Sequence, residues 1–314
     1  MSPILEVYEL VKQYGNFTAV KGISFAVQEG EIFSLLGPNG AGKTTTISVL
    51  STLYAPTRGD AVIAGHSVTR SPMDVRRAIG VVPQELALYD DLTARENLVF
   101  WGQMYGLAGK ALAARVDEVL AQIGLTGRAK ERVKTYSGGM KRRVNIGVGL
   151  LHKPRLLFMD EPTVGIDPQS RRAILDSVKE LNRQGMTILY TTHYMEEAQE
   201  LSHRVGIMDH GELIALGSQA ELTRQVGENE TLVLHIGADE DAEALAQSLR
   251  PIAGVLQVNV TDHEIALTTH QAEEILAPVV TRANDRGIKI HSIDMREPNL
   301  EAVFLQLTGR GLRD

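Results

Sequence analysis

The run Gly37-Pro38-Asn39-Gly40-Ala41-Gly42-Lys43-Thr44 constrains this chain more than any other stretch of it. An apolar segment, Ile32-Phe33-Ser34-Leu35-Leu36, precedes it, and an apolar helical segment, Thr45 to Leu53, follows. That is the strand–loop–helix setting in which G-x-x-x-x-G-K-[ST] works as a phosphate cradle, the P-loop. The glycines let backbone N–H groups turn inward around the β- and γ-phosphates at a helix N-terminus. Lys43 adds a cation, and Thr44 offers a hydroxyl to Mg²⁺. A glycine-rich turn that binds nothing is the competing reading, and the flanking pattern argues against it.

A second phosphate-gripping segment lies at Tyr136-Ser137-Gly138-Gly139-Met140. Ser137 is an N-cap candidate, and the run Met140 to Leu151 reads as the helix it caps, so bare N–H groups again face outward toward an anion. One nucleotide needs one cradle; the second suggests that another chain's nucleotide is completed here. Downstream, Leu156-Leu157-Phe158-Met159-Asp160-Glu161 is a continuous apolar run ending in two carboxylates. A strand buried on both faces reads this way, and ligands bind at the C-terminal ends of strands in open parallel sheets. Asp160 is the candidate Mg²⁺ holder, and Glu161 the candidate general base that polarises a water toward the γ-phosphate.

These residues resemble the nucleotide-binding subunit of an ATP-binding-cassette (ABC) transporter. The family's Leu-Ser-Gly-Gly-Gln signature stands here as Tyr136-Ser137-Gly138-Gly139-Met140, with the Ser137-Gly138-Gly139 core intact. The resemblance implies further roles. Gly37, Asn39, Gly40, Gly42, Lys43, Thr44 and Thr45 would contact the nucleotide, and Asp160 would be the Walker B aspartate. Gln84, after Ala78-Ile79-Gly80-Val81-Val82-Pro83, would be the Q-loop ligand to Mg²⁺ and water; His193, after Met186 to Thr192, would touch the γ-phosphate. Taken singly, a Gln or His at a strand end is more often a satisfied loop residue; the order and spacing of the whole set argue otherwise. Asp167, in Val164-Gly165-Ile166-Asp167, matches the D-loop that crosses between monomers. Tyr14 matches the aromatic that stacks on adenine, although a strand tyrosine needs no ligand to explain it. The implied cofactors are ATP and Mg²⁺. The implied partners are an integral-membrane permease and a second cassette in a head-to-tail dimer, and the implied location is the cytoplasmic face of the membrane.

Composition agrees. The chain has 314 residues and is 43% hydrophobic, enough for a large core and two domains. It has no cysteine, which excludes a disulfide framework and thiolate metal sites. The N-terminus lacks the basic and long apolar regions of a signal peptide, and no run approaches the roughly 18 apolar residues of a membrane helix. The chain therefore reads as a soluble protein that stays inside the cell. A net charge of −7 argues against a nucleic-acid surface. The cluster Lys141-Arg142-Arg143 is explained by a solvated helix face, and His193, His203 and His210 have no metal-site spacing.

The expected fold is α/β: a P-loop NTPase cassette over residues 1–228, with a RecA-like core, an antiparallel β subdomain and a helical subdomain over about 85–150, followed by a small α+β domain over 229–314. Helical patterns cover Leu92 to Trp101 and Lys110 to Ile123. A hairpin is expected from Arg204 to Leu216, turning at Asp209-His210-Gly211-Glu212. After a polar break at Gly227-Glu228-Asn229-Glu230, strands at Thr231–Ile236, Val255–Val260, Glu264–Thr268 and Ile288–Ile293 alternate with helices at Asp241–Leu249 and Gln271–Asn284. That β-α-β-β-α-β order is ferredoxin-like. The tail from Glu297-Pro298 through a helix at Asn299–Leu307 to Gly309-Arg310 resembles ATPases of the drug-exporter and daunorubicin-resistance branch, partners of ABC-2 type permeases.

The reading that follows is an ATP hydrolase powering a separate permease, an exporter of drugs, lipids or other small molecules. An ABC importer subunit with a β-rich extension is one alternative. A soluble ABC ATPase of translation or DNA repair is another, which would carry two cassettes or a long coiled coil. A GTP-binding switch is excluded, because no Asn-Lys-x-Asp motif occurs. The aromatic-rich segment Leu88-Tyr89 to Leu98-Val99-Phe100-Trp101 and Met104-Tyr105 reads either as subdomain core or as a groove for a permease helix hinged at Gln84.

Overall fold

A computed structural model describes residues 3–225, 230–237, 240–261, 264–296 and 299–308. They fall into two units, one up to Ser218 and one from Gln219. The expected polar break at 227–230 and the tail positions 297–298 and 309–310 lie in whole or in large part outside the described residues.

The first unit is built on a six-stranded sheet in the order Glu212–Gly217, Arg204–Asp209, Ile32–Leu36, Thr187–Thr192, Leu156–Asp160, Ile79–Val82. All neighbours are parallel except the first pair, which forms the Arg204–Gly217 hairpin. The three central strands are buried along their whole length. They divide their side chains between two apolar clusters: Leu157, Met159, Ile188 and Tyr190 face one, Leu156, Phe158 and Leu189 the other. Strict burial on both faces explains why these strands carry unbroken apolar runs instead of alternation.

The first cluster packs the sheet against helices Ala94–Met104, Gly109–Gln122 and Gly138–Leu150 through Leu98, Val116, Leu120 and Ile146. Thr93 starts the first of these helices with a full capping box to Glu96. The second cluster packs the sheet against a four-stranded antiparallel sheet, in the order Phe17–Gln28, Pro3–Tyr14, Arg58–Ile63, His66–Ser67. Phe25 stacks on Phe33 across that junction at 5.2 Å. The hairpin turn at His210-Gly211 has positive φ at both residues, 46° and 83°, as a tight turn between twisted strands requires. Gly211 donates its N–H to Ala41 O and accepts from Lys21 N, so this turn is tied both to the phosphate loop and to the antiparallel sheet.

The second unit holds a four-stranded antiparallel sheet in the order Val255–Thr261, Glu264–Thr269, Glu230–Ile236, Ile290–Arg296. Leu232, Leu234 and Ile236 alternate inward and meet Leu245 and Leu249 of helix Ala242–Leu249 and Ile275 and Val279 of helix Ala272–Asp285. Helices Gln219–Gln225 and Leu300–Thr308 pack together in the same unit. The division therefore falls ahead of a helix that the sequence reading did not contain.

Candidate functional site

Four of the parallel strands end at one edge of the sheet, and the expected residues follow directly: Gly37 after Leu36, Gln84 after Val82-Pro83, Glu161 after Asp160, His193 after Thr192. The phosphate loop is shaped by close packing. A side chain at Gly37 would meet Met208 O at 2.2 Å; one at Gly42, where φ is 100°, would meet Ala19 O at 2.5 Å. Only glycine fits at either position. Asn39, Gly40, Gly42, Lys43, Thr44, Thr45, Gln84 and Glu161 line one polar cavity of about 210 Å³.

Lys43 begins helix Lys43–Leu50 and is 3% exposed. Its ammonium donates to Gly37 O at 2.7 Å and Pro38 O at 3.0 Å, and pairs with Glu161 Oε1 at 3.0 Å. Glu161 is equally buried; its other oxygen lies 3.1 Å from His193 Nδ1. Its backbone is left-handed, with φ at 45°, and its N–H donates to Thr191 Oγ1 at 3.0 Å. A non-glycine residue there costs about 1–3 kcal/mol and persists where neighbours over-determine it, typically at reactive sites. Asp160 accepts hydroxyls from Thr191 at 2.7 Å and Thr44 at 3.1 Å. Burial raises its carboxyl above the ordinary range, and those two hydrogen bonds offset only part of the effect.

The remaining expected residues lie away from the cavity lining. Ser137 caps helix Gly138–Leu150 by accepting from Met140 N at 3.2 Å. Gly139 packs so closely on Ser170 that an added Cβ would come within 2.3 Å of it. Ser170 in turn donates its N–H to Asp167, the N-cap of helix Pro168–Arg183, and that bond holds the Asp167 carboxyl low. The Ser137 segment and the Asp167 loop thus form one surface. Tyr14 is 42% exposed, meets Tyr54 edge-on at 6.1 Å and lies 5.0 Å below the Lys12 ammonium.

Two residues of weight escaped the sequence reading. Glu197, 2% exposed, accepts from Thr163 at 2.6 Å and from Tyr190 and Thr192 at 2.9 Å each. It thereby joins the loop after Glu161 to strand Thr187–Thr192, which His193 follows. Burial and the Glu197 charge keep the Tyr190 hydroxyl protonated far above its usual range, so it remains a donor. Arg142 was assigned to a solvated helix face; instead it is 4% exposed. Its guanidinium donates to Pro83 O and Gln84 O, both at 2.8 Å. Its signal was there: positions 139, 142, 145 and 149 share the inward side of a helix otherwise filled by Val144, Ile146 and Val148.

Residues 20–164 match the family model described as ABC transporter. The chain is 48% identical to the linearmycin resistance ATP-binding protein of Bacillus subtilis, over 99% of this chain and 100% of that protein. It is 39% identical to the doxorubicin resistance ATP-binding protein of Mycobacterium tuberculosis, over 94% of this chain and 89% of the other. Among solved structures, a dimeric ATP-binding cassette in a post-hydrolysis state with ADP and Pi superposes with a TM-score of 0.61 at 27% identity, over 68% of this chain and 98% of that one.

Proposed function

The chain belongs to the ABC-transporter ATP-binding subunits, in the drug-resistance and export branch, and we propose that the Lys43–Glu161 cleft is where its ATP is bound and cut. It is an ATP hydrolase that powers a separate export permease. The observation that carries the assignment of the site is the buried contact of Lys43 with Glu161, placed among the phosphate loop, Asp160 and His193.

The proposed chemistry follows from competition for Lys43. A triphosphate in the cradle offers the ammonium more negative charge than Glu161 does, so Lys43 turns to phosphate and the carboxylate is freed as a base. Backbone N–H groups from Asn39 to Thr45 hold the β- and γ-phosphates. Glu161 then takes a proton from the attacking water, and His193, hydrogen-bonded to Glu161, steadies both that carboxylate and the γ-phosphate. The Thr44 hydroxyl, the Asp160 carboxylate and the Gln84 amide form an all-oxygen donor set that fits Mg²⁺. The ion, when bound, neutralises charge on the phosphate oxygens. Tyr14, with Tyr54 behind it, is proposed to stack on adenine.

Ser137-Gly138-Gly139 and Asp167 are proposed to complete the site of a second cassette packed head to tail, so that two nucleotides are shared between two chains. Their common surface and the dimeric state of the solved relative support this. Among the described residues, no helix is long and apolar enough to cross a membrane. The permease is proposed to dock against Tyr89, Met104 and Tyr105, which are 48%, 65% and 42% exposed, while Leu98 of the same segment is fully buried. This would place the subunit on the cytoplasmic face of the membrane, serving export of drugs, lipids or other small molecules.

Two experiments test the proposal. Glu161→Gln should lower ATP turnover by about 10²–10⁴ while leaving ATP binding intact; near-normal turnover removes Glu161 from the role. Tyr89→Glu with Tyr105→Glu should spare the ATPase of the isolated subunit and abolish co-purification with its permease. Retained co-purification moves the docking surface elsewhere.

A further inference from the structure

Arg142 is buried with no ion-pair partner among the described residues, although the Asp160 charge is near enough to favour its cationic form. Its Nε has no hydrogen-bond partner among them either. Burying a guanidinium this way is costly unless strong bonds compensate. Its two charge-assisted bonds both go to the backbone of one loop, at Pro83 O and Gln84 O. Asn145, one turn further along the helix and 1% exposed, holds the same loop by donating to Pro83 O and accepting from Ala87 N, both at 3.3 Å. The loop needs such an anchor. It leaves strand Ile79–Val82 at the edge of the sheet, where no further strand is available to satisfy it. The anchoring helix is the one that begins at Ser137, and Arg142 lies three residues beyond Gly139 on its inward face.

We propose that Arg142 is a positioning residue that fixes the Gln84 backbone to the Ser137 helix, setting the reach of Gln84 into the cleft and making the loop follow any shift of that helix. The inference rests on the reading of Gln84 as a ligand to Mg²⁺ and water, and of Ser137-Gly138-Gly139 as a contact to a partner's nucleotide. In mechanical terms, one helix carries at its start the surface for the neighbouring nucleotide and on its inner face the clamp on the loop facing its own. Both bonds are charge-assisted and end on adjacent carbonyls, so a shift of the helix draws the loop with it.

The test compares Arg142→Met and Arg142→Lys in the full chain. In the Met variant, amide exchange from Gln84 to Tyr89 should rise by about tenfold or more, the consequence of losing charge-assisted bonds. Exchange in strands Leu156–Asp160 and Thr187–Thr192 should stay as in wild type. The Mg²⁺ concentration for half-maximal ATPase should rise by about tenfold, as when an outer-shell partner of a metal ligand is removed. Binding of a fluorescent ATP analogue without Mg²⁺ should hardly change. The Lys variant should fall between the two. Unchanged exchange at 84–89, or an equal rise across the sheet strands, overturns the proposal. Should the Met variant fail to fold, Asn145→Ala gives the same exchange readout with no charge removed. Gln84→Ala separates the two layers: if it leaves the Mg²⁺ requirement unchanged, the reading of Gln84 fails, and the exchange data alone decide whether Arg142 holds the loop.

Discussion

The two units of this chain keep different kinds of interior. In the first, Lys43, Asp160, Glu161, Glu197 and Arg142, with Glu31 and Arg115 further off, are each less than a tenth exposed and bond to one another, to hydroxyls or to the backbone. In the second, the buried polar residues among those described are Ser248 and Thr269, and Leu232, Leu234, Ile265 and Leu267 make up the centre. Apolar burial stabilises in proportion to area, whereas buried charge at best breaks even. The charged interior is therefore retained at a cost to stability, and most of it, Glu31 and Arg115 apart, lies in or beside the one cleft for which chemistry is proposed.

The sharpest way to break this contrast is to remove one partner of the buried pair. Lys43→Ala leaves Glu161 without its cation and should destabilise the nucleotide-free protein by about 3–5 kcal/mol in chemical denaturation. Adding Glu161→Gln should return much of that loss, because the stranded charge is gone; a double variant no more stable than the single would mean the pair is not what holds the region. The matching change in the apolar interior is Leu234→Ala. It should cost about 2–5 kcal/mol in the second unit and leave ATP turnover per folded molecule unaltered. A loss of turnover at full occupancy of the fold would show that the two interiors are not independent.

The smallest effect has the opposite sign. Burial raises the Asp160 carboxyl above its ordinary 3.8, so as pH falls the native protein takes up a proton there before the unfolded chain does. Its contribution to stability is full below 3.8 and declines as pH rises through the folded value. At neutral pH the ionised form is therefore a burden. Asp160→Asn keeps an acceptor for Thr44 and Thr191, so thermal unfolding at neutral pH should shift upward even as hydrolysis is lost. Acidification should close the gap between variant and wild type; a lower Tm for the Asn variant at every pH would contradict the argument.

Much of the cleft was legible because a parallel sheet turns strand order into geometry. Once Ile32–Leu36, Ile79–Val82, Leu156–Asp160 and Thr187–Thr192 are read as buried strands, their trailing polar residues must converge. Residues that act through the interior of helices were harder. Glu196 and Glu197 look like one solvated acidic pair, and only the register of helix Met195–Leu201 turns the second inward. Arg142 was hidden in the same way by its basic neighbours, of which Lys141 does reach the surface to pair with Asp90 at 2.8 Å. Helix Gln219–Gln225 is short and mostly polar, and its composition gives no periodic signal. Tyr54 stands forty residues from Tyr14, and nothing in the chain between them announces that the two rings meet.

The His210-Gly211 turn has a consequence for anyone who engineers this subunit. By the usual criteria it is an attractive place to splice in a tag or a reporter: a two-residue bend, with His210 exposed, between two hairpin strands. Yet Gly211 binds Ala41 through its N–H and Lys21 through its carbonyl, so the bend also serves as a strut behind the phosphate loop. A graft at that point would leave the hairpin paired and the protein folded while the proposed nucleotide cradle lost its outer support, and on that proposal the fault would show up first as weakened affinity for ATP.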